Sequence, residues 1–280
     1  MSFPRTTVAG VSLPRMLIGS NWIFGWSHTG HAADVFIKEQ HATADQTACL
    51  LDAFLDYGID AWMGPWSTTP AATDRVKQLQ DKFGKKIILI DTPILNMDNS
   101  AQARHEAEAV IKFSAELGST FCLIHHSSCE QLVNKNKRTM DRLPDYLKMI
   151  RDAGLIPGLS AHMPEVIQYT DLNNYDVETY IQIFNCLGFL MQVEVESVIR
   201  IIHEAKKPVM TIKPMAAGRT TPYVGLTFNW NVLRSRDMIT VGCVNEHEVH
   251  EDVEISLAAL EHRLPDLEGR SSPGKTSIIK

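Results

Sequence analysis

The feature that most constrains the fold is a regular alternation between short apolar runs and longer helical patterns. Runs rich in Ile, Val and Leu are typical of strands buried on both faces of a parallel sheet, and the segments between them are long enough to cross back as helices. Strands are predicted at residues 15–20, 58–63, 86–91, 120–125, 156–160, 178–183, 208–213 and 238–243. Helices are predicted at residues 43–57, 70–83, 100–117, 142–153, 163–169, 193–205, 227–234 and 246–263.

The number of strands decides the architecture. Eight strands that alternate with eight helices are the pattern of a (β/α)8 barrel, and 280 residues with 44% hydrophobic content suit one domain of that kind. We therefore predict a single-domain α/β protein, a TIM barrel formed by residues 1–264. Residues 265–280 are predicted to be a C-terminal tail.

Charge and composition exclude several classes of partner. The net charge of −6 and the pI near 6.0 provide no basic surface for nucleic acid or for an anionic membrane. We find no signal-peptide pattern and no apolar run long enough to span a bilayer, which favours a cytoplasmic location. Five unclustered cysteines fit reduced thiols. A small-molecule substrate is expected, and a homo-oligomer is compatible with the sequence.

Polar side chains lie near the ends of the predicted strands. Asp60, Asp91, His125 and Lys213 belong to the second, third, fourth and seventh strands, and His162 follows the fifth. In TIM barrels the active site lies at the C-terminal ends of the strands, and charge buried there is costly unless it faces the mouth or is paired. These positions predict catalytic roles for Asp60, Asp91, His125 and Lys213 at one end of the barrel.

Two long segments after the first and fourth strands, at residues 22–40 and 127–140, are predicted to form loops around that mouth. Flat aromatic and polar groups in such loops suit a small polar ligand. Because side chains alternate along a strand, only one of His125 and His126 is expected to point inward. The predicted substrate-binding residues are Trp22, Trp26, His28, His31, His126, Asn185 and Arg219.

Several segments, in order, resemble the aldo-keto reductase family over most of the chain. The segments that carry the resemblance are VSLPRMLIGSNWIFG, GIDAW, CLIHH, PGLSAHMPEVI, YIQIFN, VMTIKPMAAGR and MITVGCVNEHEVHEDVEISLAAL. The resemblance implies a barrel with a catalytic aspartate, tyrosine, lysine and histidine. Asp60 and His125 match the aspartate and the histidine. The segment AWMGPWSTTP supplies no tyrosine, however, and IILIDTP places Asp91 where the family has its lysine.

The resemblance also implies a nucleotide site between the seventh and eighth strands. Gly218, Gly242 and Asn245 are its expected cofactor-binding residues if a nucleotide is bound. The segment NEHEVHEDVE is acidic where the family carries basic residues that grip a nucleotide phosphate, so NADP is disfavoured.

A site rich in carboxylates and imidazoles suggests a metal instead. Asp91, His125 and His162 are predicted to bind Zn, Mn or Fe, with open positions for water and substrate. The principal hypothesis is a metal-assisted or acid/base isomerase, epimerase or lyase of carbohydrate metabolism, acting on a small polyhydroxylated, sugar-like carbonyl compound. Asp60 and His162 complete its site, and Lys213 stabilises an enolate-like intermediate.

Two alternatives stay open at this point. The first is an NADP-dependent aldo-keto reductase with an atypical proton donor, such as His28, His31 or His126. The second is a non-catalytic ligand-binding barrel, which would be expected to lack some of the catalytic residues.

Overall fold

Eight parallel strands close into a ring in the computed structural model, which describes residues 2–267. Neighbours in the ring are neighbours in the chain, and the eighth strand pairs with the first, as in the contact of Ile239 with Met16. The predicted barrel and its eight strands are confirmed. The strands are β1 (Met16–Gly19), β2 (Ala61–Gly64), β3 (Ile88–Asp91), β4 (Phe121–Ile124), β5 (Ile156–Ala161), β6 (Thr179–Ile183), β7 (Val209–Ile212) and β8 (Met238–Val241).

Eleven α-helices lie among the described residues, and all eight predicted helices are present with small shifts of their ends. They are α1 (Asn21–Phe24), α2 (His31–Gln40), α3 (Ala44–Leu55), α4 (Pro70–Phe83), α5 (Ala101–Glu116), α6 (His126–Cys129), α7 (Leu143–Asp152), α8 (Glu165–Leu172), α9 (Val195–Glu204), α10 (Pro222–Val232) and α11 (Glu246–Leu260). Helix α10 begins five residues earlier than predicted, because the Thr221 side chain caps it and Pro222 occupies its first turn.

The two segments predicted as loops contain regular structure. Helices α1 and α2 occupy most of residues 22–40. Residues 127–140 hold most of α6, a 3₁₀ turn at Glu130–Leu132 and a small hairpin of Val133–Asn134 with Thr139–Met140.

A hairpin that the sequence analysis missed closes the N-terminal end of the barrel. Its strands, Arg5–Val8 and Val11–Pro14, pair in antiparallel fashion ahead of β1. Val8 and Leu13 are buried in the same apolar cluster as the residues inside the barrel. The opposite, C-terminal end is therefore the open one.

Side chains alternate between two apolar layers along every strand. Inside the barrel lie residues such as Leu17, Ile90 and Leu123. Between the barrel and the helices lie their chain neighbours, such as Ile18, Leu89 and Cys122. A strand residue therefore faces either the barrel axis or the helices, and its parity in the strand decides which.

One buried ion pair secures the closed end. The Asp237 carboxylate is fully buried before β8, and its two oxygens accept bonds from Nε and Nη2 of Arg234, each at 2.7 Å. The same carboxylate accepts the Val209 N–H at the start of β7 at 2.9 Å, while Arg234 also donates to the carbonyl oxygens of Ala205 and Lys207. The pair thus holds together the N-terminal ends of the last two strands.

We predict that Asp237→Ala lowers the free energy of unfolding by about 3–5 kcal/mol, because it leaves the half-enclosed Arg234 guanidinium without its counter-charge. Denaturant unfolding followed by circular dichroism measures this. The control is Asp152→Ala, which breaks an exposed pair with Lys148 within α7 and costs at most about 0.5 kcal/mol. Equal effects of the two variants would contradict the structural role of Asp237.

No helix of residues 2–267 is long and apolar enough to cross a membrane. Most of the tail predicted at 265–280 lies outside the described residues.

Candidate active site

A cavity of about 950 Å³ opens at the C-terminal ends of the barrel strands. Every strand contributes to its wall, either with its last residues or with the residues that follow it. The inner wall is formed by Gly19, Met63, Thr92, His125, Ser160, His162, Ile181, Ile212, Lys213 and Thr240. This is the end of the barrel at which a site is expected in TIM-barrel enzymes.

Three imidazoles lie in contact on one side of the cavity. The ring centroids of His125 and His126 are 4.2 Å apart, and those of His126 and His162 are 3.9 Å apart with nearly parallel planes. The prediction that only one of His125 and His126 points inward is wrong. Strand β4 ends at Ile124 and helix α6 begins at His126, so strand alternation no longer applies to this pair.

The environment of His125 determines its protonation. Burial, together with the charges of His126 and Lys213, lowers the pKa of His125 to about 4, so the ring is neutral near pH 7. Its Nδ1 accepts the backbone N–H of Ser127 at 3.3 Å and lies 2.8 Å from the Ser127 hydroxyl. The proton of the neutral ring is therefore on Nε2, which is left to donate a hydrogen bond.

His162 is neutral for similar reasons. Burial, followed by the charges of His126 and Lys213, lowers its pKa to about 3. Its Nε2 is buried and has no hydrogen-bond partner among residues 2–267. The backbone N–H groups of His162 and Met163 both donate to Oε1 of Glu130, which fixes this turn at the end of β5.

Lys213 is the cation whose charge acts on all three of these rings. Its charge contributes to lowering the pKa of four cavity-lining histidines, His28, His125, His126 and His162. Burial lowers the pKa of Lys213 itself to about 8. Within the described chain, its ammonium has neither an ion pair nor a hydrogen bond.

Several predicted substrate-binding residues line the outer part of the cavity: Trp22, Trp26, His28, His126 and Arg219. The Arg219 guanidinium lies 3.9 Å from the ring centre of Phe189 and donates to the carbonyl oxygen of His28. Gly218 and Gly242, two predicted cofactor-binding residues, also line it. A Cβ at Gly242 would lie 2.6 Å from the Trp22 ring, so this position requires glycine.

Other predicted residues lie elsewhere. His31 is exposed on α2, away from the cavity wall. Asn185 is fully buried and bonds within its own loop, accepting the N–H groups of Leu187 and Phe189. Asn245 caps α11 by accepting the Glu248 N–H. Their predicted contact with a ligand has no support in the geometry.

The predicted position of Asp60 is wrong. Asp60 precedes β2 at the closed end of the barrel, where it forms an ion pair of 3.0 Å with Arg5 of the hairpin. The residue of β2 that reaches the cavity is Met63. The predicted strand ends within one residue of the end of β2, but Asp60 lies before the start of β2 and not at its C-terminal end.

The predicted position of Asp91 is also wrong. Asp91 is fully buried at the end of β3 and faces Ser67 and Ser114, on the side of the helices. Burial raises the pKa of this carboxyl, and its Oδ2 has no hydrogen-bond partner in the described part of the chain. The next residue, Thr92, is the one that lines the cavity.

The predicted metal site is wrong for the same reason. Asp91 points away from His125 and His162, and across residues 2–267 no three His, Cys, Asp or Glu side chains converge as ligands of a metal ion would. The Zn, Mn or Fe site predicted from Asp91, His125 and His162 is therefore not formed.

Sequence reasoning missed several cavity residues. Met63, Thr92, Ser160 and Thr240 line the cavity, and none of them was predicted. Counting every second residue forward from the apolar positions that face the barrel axis would have identified Met63 and Thr92. On α11, Glu248, Glu251 and Asp252 line the cavity, although their segment had been noted only as acidic. Burial raises the pKa of Asp252, which lies 3.5 Å from the Cys243 thiol, to about 7.

Comparison of the whole chain with known proteins gives matches in structure alone. No protein-family model matches the sequence, and neither does any curated protein. Among solved structures, an aldo-keto reductase of Klebsiella pneumoniae in complex with NADPH is 12% identical with a TM-score of 0.60, covering 95% of this chain and 92% of that one. A Bombyx mori aldo-keto reductase in complex with NADP is 13% identical with a TM-score of 0.56, covering 94% of both chains.

A protein of Pseudomonas aeruginosa, whose crystal structure is named as that of an aldo-keto reductase, is 14% identical with a TM-score of 0.66, covering 91% of this chain and 96% of that one. These similarities, with the absence of a convergent metal-ligand set in residues 2–267, contradict the hypothesis of a metal-assisted isomerase, epimerase or lyase. They also overturn the preference for a metal over NADP. The chain has the fold of the aldo-keto reductases.

Proposed function

We propose that the protein is an oxidoreductase that uses a nicotinamide dinucleotide to reduce the carbonyl group of a small molecule. One observation carries the proposal. The barrel shares its fold with reductases whose structures hold NADP or NADPH, and its open end holds a cavity in which neutral imidazoles lie beside Lys213, whose ammonium has no ion pair within residues 2–267. This corresponds to the alternative reading of the sequence rather than to its principal hypothesis.

The cavity fits such a cofactor in size and in chemistry. Its 950 Å³ lies near the upper end of the range of ligand pockets, about 300–1,000 Å³. Arg219, in the loop between β7 and α10, supplies a cation for the pyrophosphate. Glu248 supplies a carboxylate that accepts hydrogen bonds from ribose hydroxyl groups. Trp22 and Trp26 add flat apolar surface.

The bound cofactor would supply a hydride to the carbonyl carbon, which leaves negative charge on the carbonyl oxygen. His125 is placed to stabilise that oxygen, because its Nδ1 is held as an acceptor by Ser127 and its Nε2–H is the free donor. A neutral, fixed donor in a site sheltered from water needs little reorganisation when charge develops. Ile181, Ile212 and Met63 form the apolar part of the same wall and limit the access of water.

Titration with NADPH and with NADH tests cofactor binding directly. Trp22 and Trp26 line the cavity, so a bound reduced nicotinamide is expected to quench their fluorescence at micromolar concentrations. Arg219→Glu should weaken binding by about tenfold to a hundredfold, because it replaces a phosphate-binding cation by an anion. Arg200→Glu, an equal charge change at an exposed position of α9, should leave binding unchanged. Absence of quenching by both nucleotides would refute the proposed function.

Substitution of His125 tests the carbonyl contact. His125→Phe should lower kcat for the reduction of small aldehydes and ketones by about 10²–10³-fold, the usual cost of removing one donor to a developing oxyanion. Nucleotide affinity should change little. The measurement is the loss of reduced-nicotinamide absorbance over a panel of such compounds. His105→Phe, at an exposed position of α5, is the matched control. Equal rates for the two variants would remove His125 from the reaction.

A further inference from the structure

Reduction of a carbonyl group needs a proton as well as a hydride, and few groups of this cavity can provide one. Its wall contains neither tyrosine nor cysteine in the part of the chain that the structure describes. The ionisable groups that remain are four histidines, two cations and three carboxylates. They are His28, His125, His126, His162, Lys213, Arg219, Glu248, Glu251 and Asp252.

Most of these groups are poor proton donors near neutral pH. The four histidines have pKa values lowered by burial, and for His125 and His162 the values fall to about 4 and about 3. A neutral imidazole donates a hydrogen bond but gives up its last proton only with difficulty. Arg219 holds its proton too tightly and is stacked on Phe189.

The carboxylates lie on another part of the wall. Glu248 accepts the Val244 N–H at 2.7 Å, and Asp252 contacts the Cys243 thiol, so both are tied to the junction of β8 and α11. The charges that affect the Asp252 pKa come from this junction and not from Lys213 or the histidines. Asp252 is nevertheless the one other buried acid of the described wall with a pKa near neutrality, and a test has to separate it from Lys213.

The backbone at Lys213 brings its side chain into the cavity. Successive residues of a strand face opposite sides, yet Ile212 and Lys213 both line the cavity. Lys213 has a left-handed conformation, with φ of 59°, and its carbonyl oxygen accepts the Ala216 N–H in a turn directly after β7. This conformation is unfavourable for a residue with a side chain, and it persists where the surrounding structure imposes it.

We propose that Lys213 is the proton donor in the reduction and the proton acceptor in the reverse oxidation. The inference rests on the proposed function. Lys213 lies at the cavity wall beside His125, its ammonium has no partner among residues 2–267, and no other group of the described wall combines an available proton with proximity to His125.

In the proposed reduction, the carbonyl carbon gains a hydride, and the π electrons of the C=O bond move to the carbonyl oxygen. An O–H bond forms to that oxygen as one N–H bond of the Lys213 ammonium breaks, which leaves a neutral amine and an alcohol. The carbonyl carbon is reduced, and a bound reduced nicotinamide would supply the two electrons with the hydride. Solvent that reaches the open end of the barrel returns a proton to the amine.

The surroundings of Lys213 define the expected pH dependence. Four histidines and Arg219 face it from the loops after β1, β4, β5 and β7, and the histidines are neutral near pH 8. Because burial lowers the pKa of Lys213 to about 8, the ammonium is present below that pH and is lost above it. The rate of reduction should therefore be constant below about pH 8 and fall about tenfold per pH unit above it. The rate of oxidation should show the opposite dependence.

The test is the pH profile of kcat/KM for reduction, from about pH 6 to about pH 10, using the aldehyde or ketone of the panel that is reduced fastest. Lys213→Met should lose about 10²–10⁴-fold in activity and lose the fall near pH 8. Lys213→Arg keeps the charge but holds its proton too tightly, so it should bind nucleotide and still fail to restore activity. Asp252→Asn and the exposed-site control Lys112→Met should keep the fall near pH 8.

A second readout does not depend on activity. Because the pKa of Lys213 is lower in the folded protein than in the unfolded chain, folding releases its proton between about pH 8 and about pH 10.4. At pH 7 the buried charge of Lys213 lowers the free energy of unfolding. This stability is regained as the pH rises through that range. The melting temperature of Lys213→Met should exceed that of the wild type at pH 7, and the difference should narrow toward pH 10.

A fall in kcat/KM near pH 8 that persists in Lys213→Met, or disappears in Asp252→Asn, overturns the role of Lys213 while the proposed function stands. Full activity in Lys213→Arg also overturns it, since a fixed charge would then suffice. A melting-temperature difference that does not vary with pH contradicts the perturbed lysine itself. Failure to bind any nicotinamide, or to reduce any compound of the panel, refutes the proposed function and this inference with it.

Discussion

Closure of eight strands into a barrel is the constraint on which the rest of the structure depends. The pairing of β8 with β1 leaves every strand residue two directions, toward the barrel axis or toward the helices. Asp91 and Thr92 show how sharp this division is. They are adjacent in the chain, yet Asp91 is buried against Ser67 and Ser114 while Thr92 lines the cavity. A charge moved by one position along such a strand leaves the site completely.

The same constraint explains how much of the molecule could be predicted. Apolar runs recur over many residues, so an error of three residues at the start of a strand, as at β2, leaves the strand count and the architecture correct. The composition of a site depends on single positions, so the same small error assigns the wrong side chains to it. Asp60 was placed at the open end although it lies before β2 and pairs with Arg5. Both histidines at the end of β4 line the cavity because helix α6 begins directly after the strand, which alternation alone does not reveal.

The two ends of the barrel treat buried charge in opposite ways. At the closed end, Arg234 and Asp237 satisfy each other and several backbone groups, so burial there stabilises the ends of β7 and β8. At the open end, Lys213 is enclosed and has no counter-charge among residues 2–267, and the histidines near it are held neutral. Such an arrangement costs stability and is the kind of imbalance that functional sites maintain.

The polar groups of the cavity are distributed unevenly around the barrel, and this limits how the substrate of the proposed reduction can lie. Strands β4, β5 and β7 bring His125, Ser160 and Lys213 to the wall, whereas β2 contributes Met63. In the proposed reduction, the carbonyl oxygen is expected to face the side of β4 to β7, where His125 and Lys213 can replace the water that it loses on entering. The apolar part of the substrate is left to Met63 and the tryptophans of the first loop. Because Asp60 and Asp91 lie outside the cavity wall, the polar contacts for the oxygen of the proposed substrate come from the histidines and Lys213, which makes a cationic proton source the natural partner of this site.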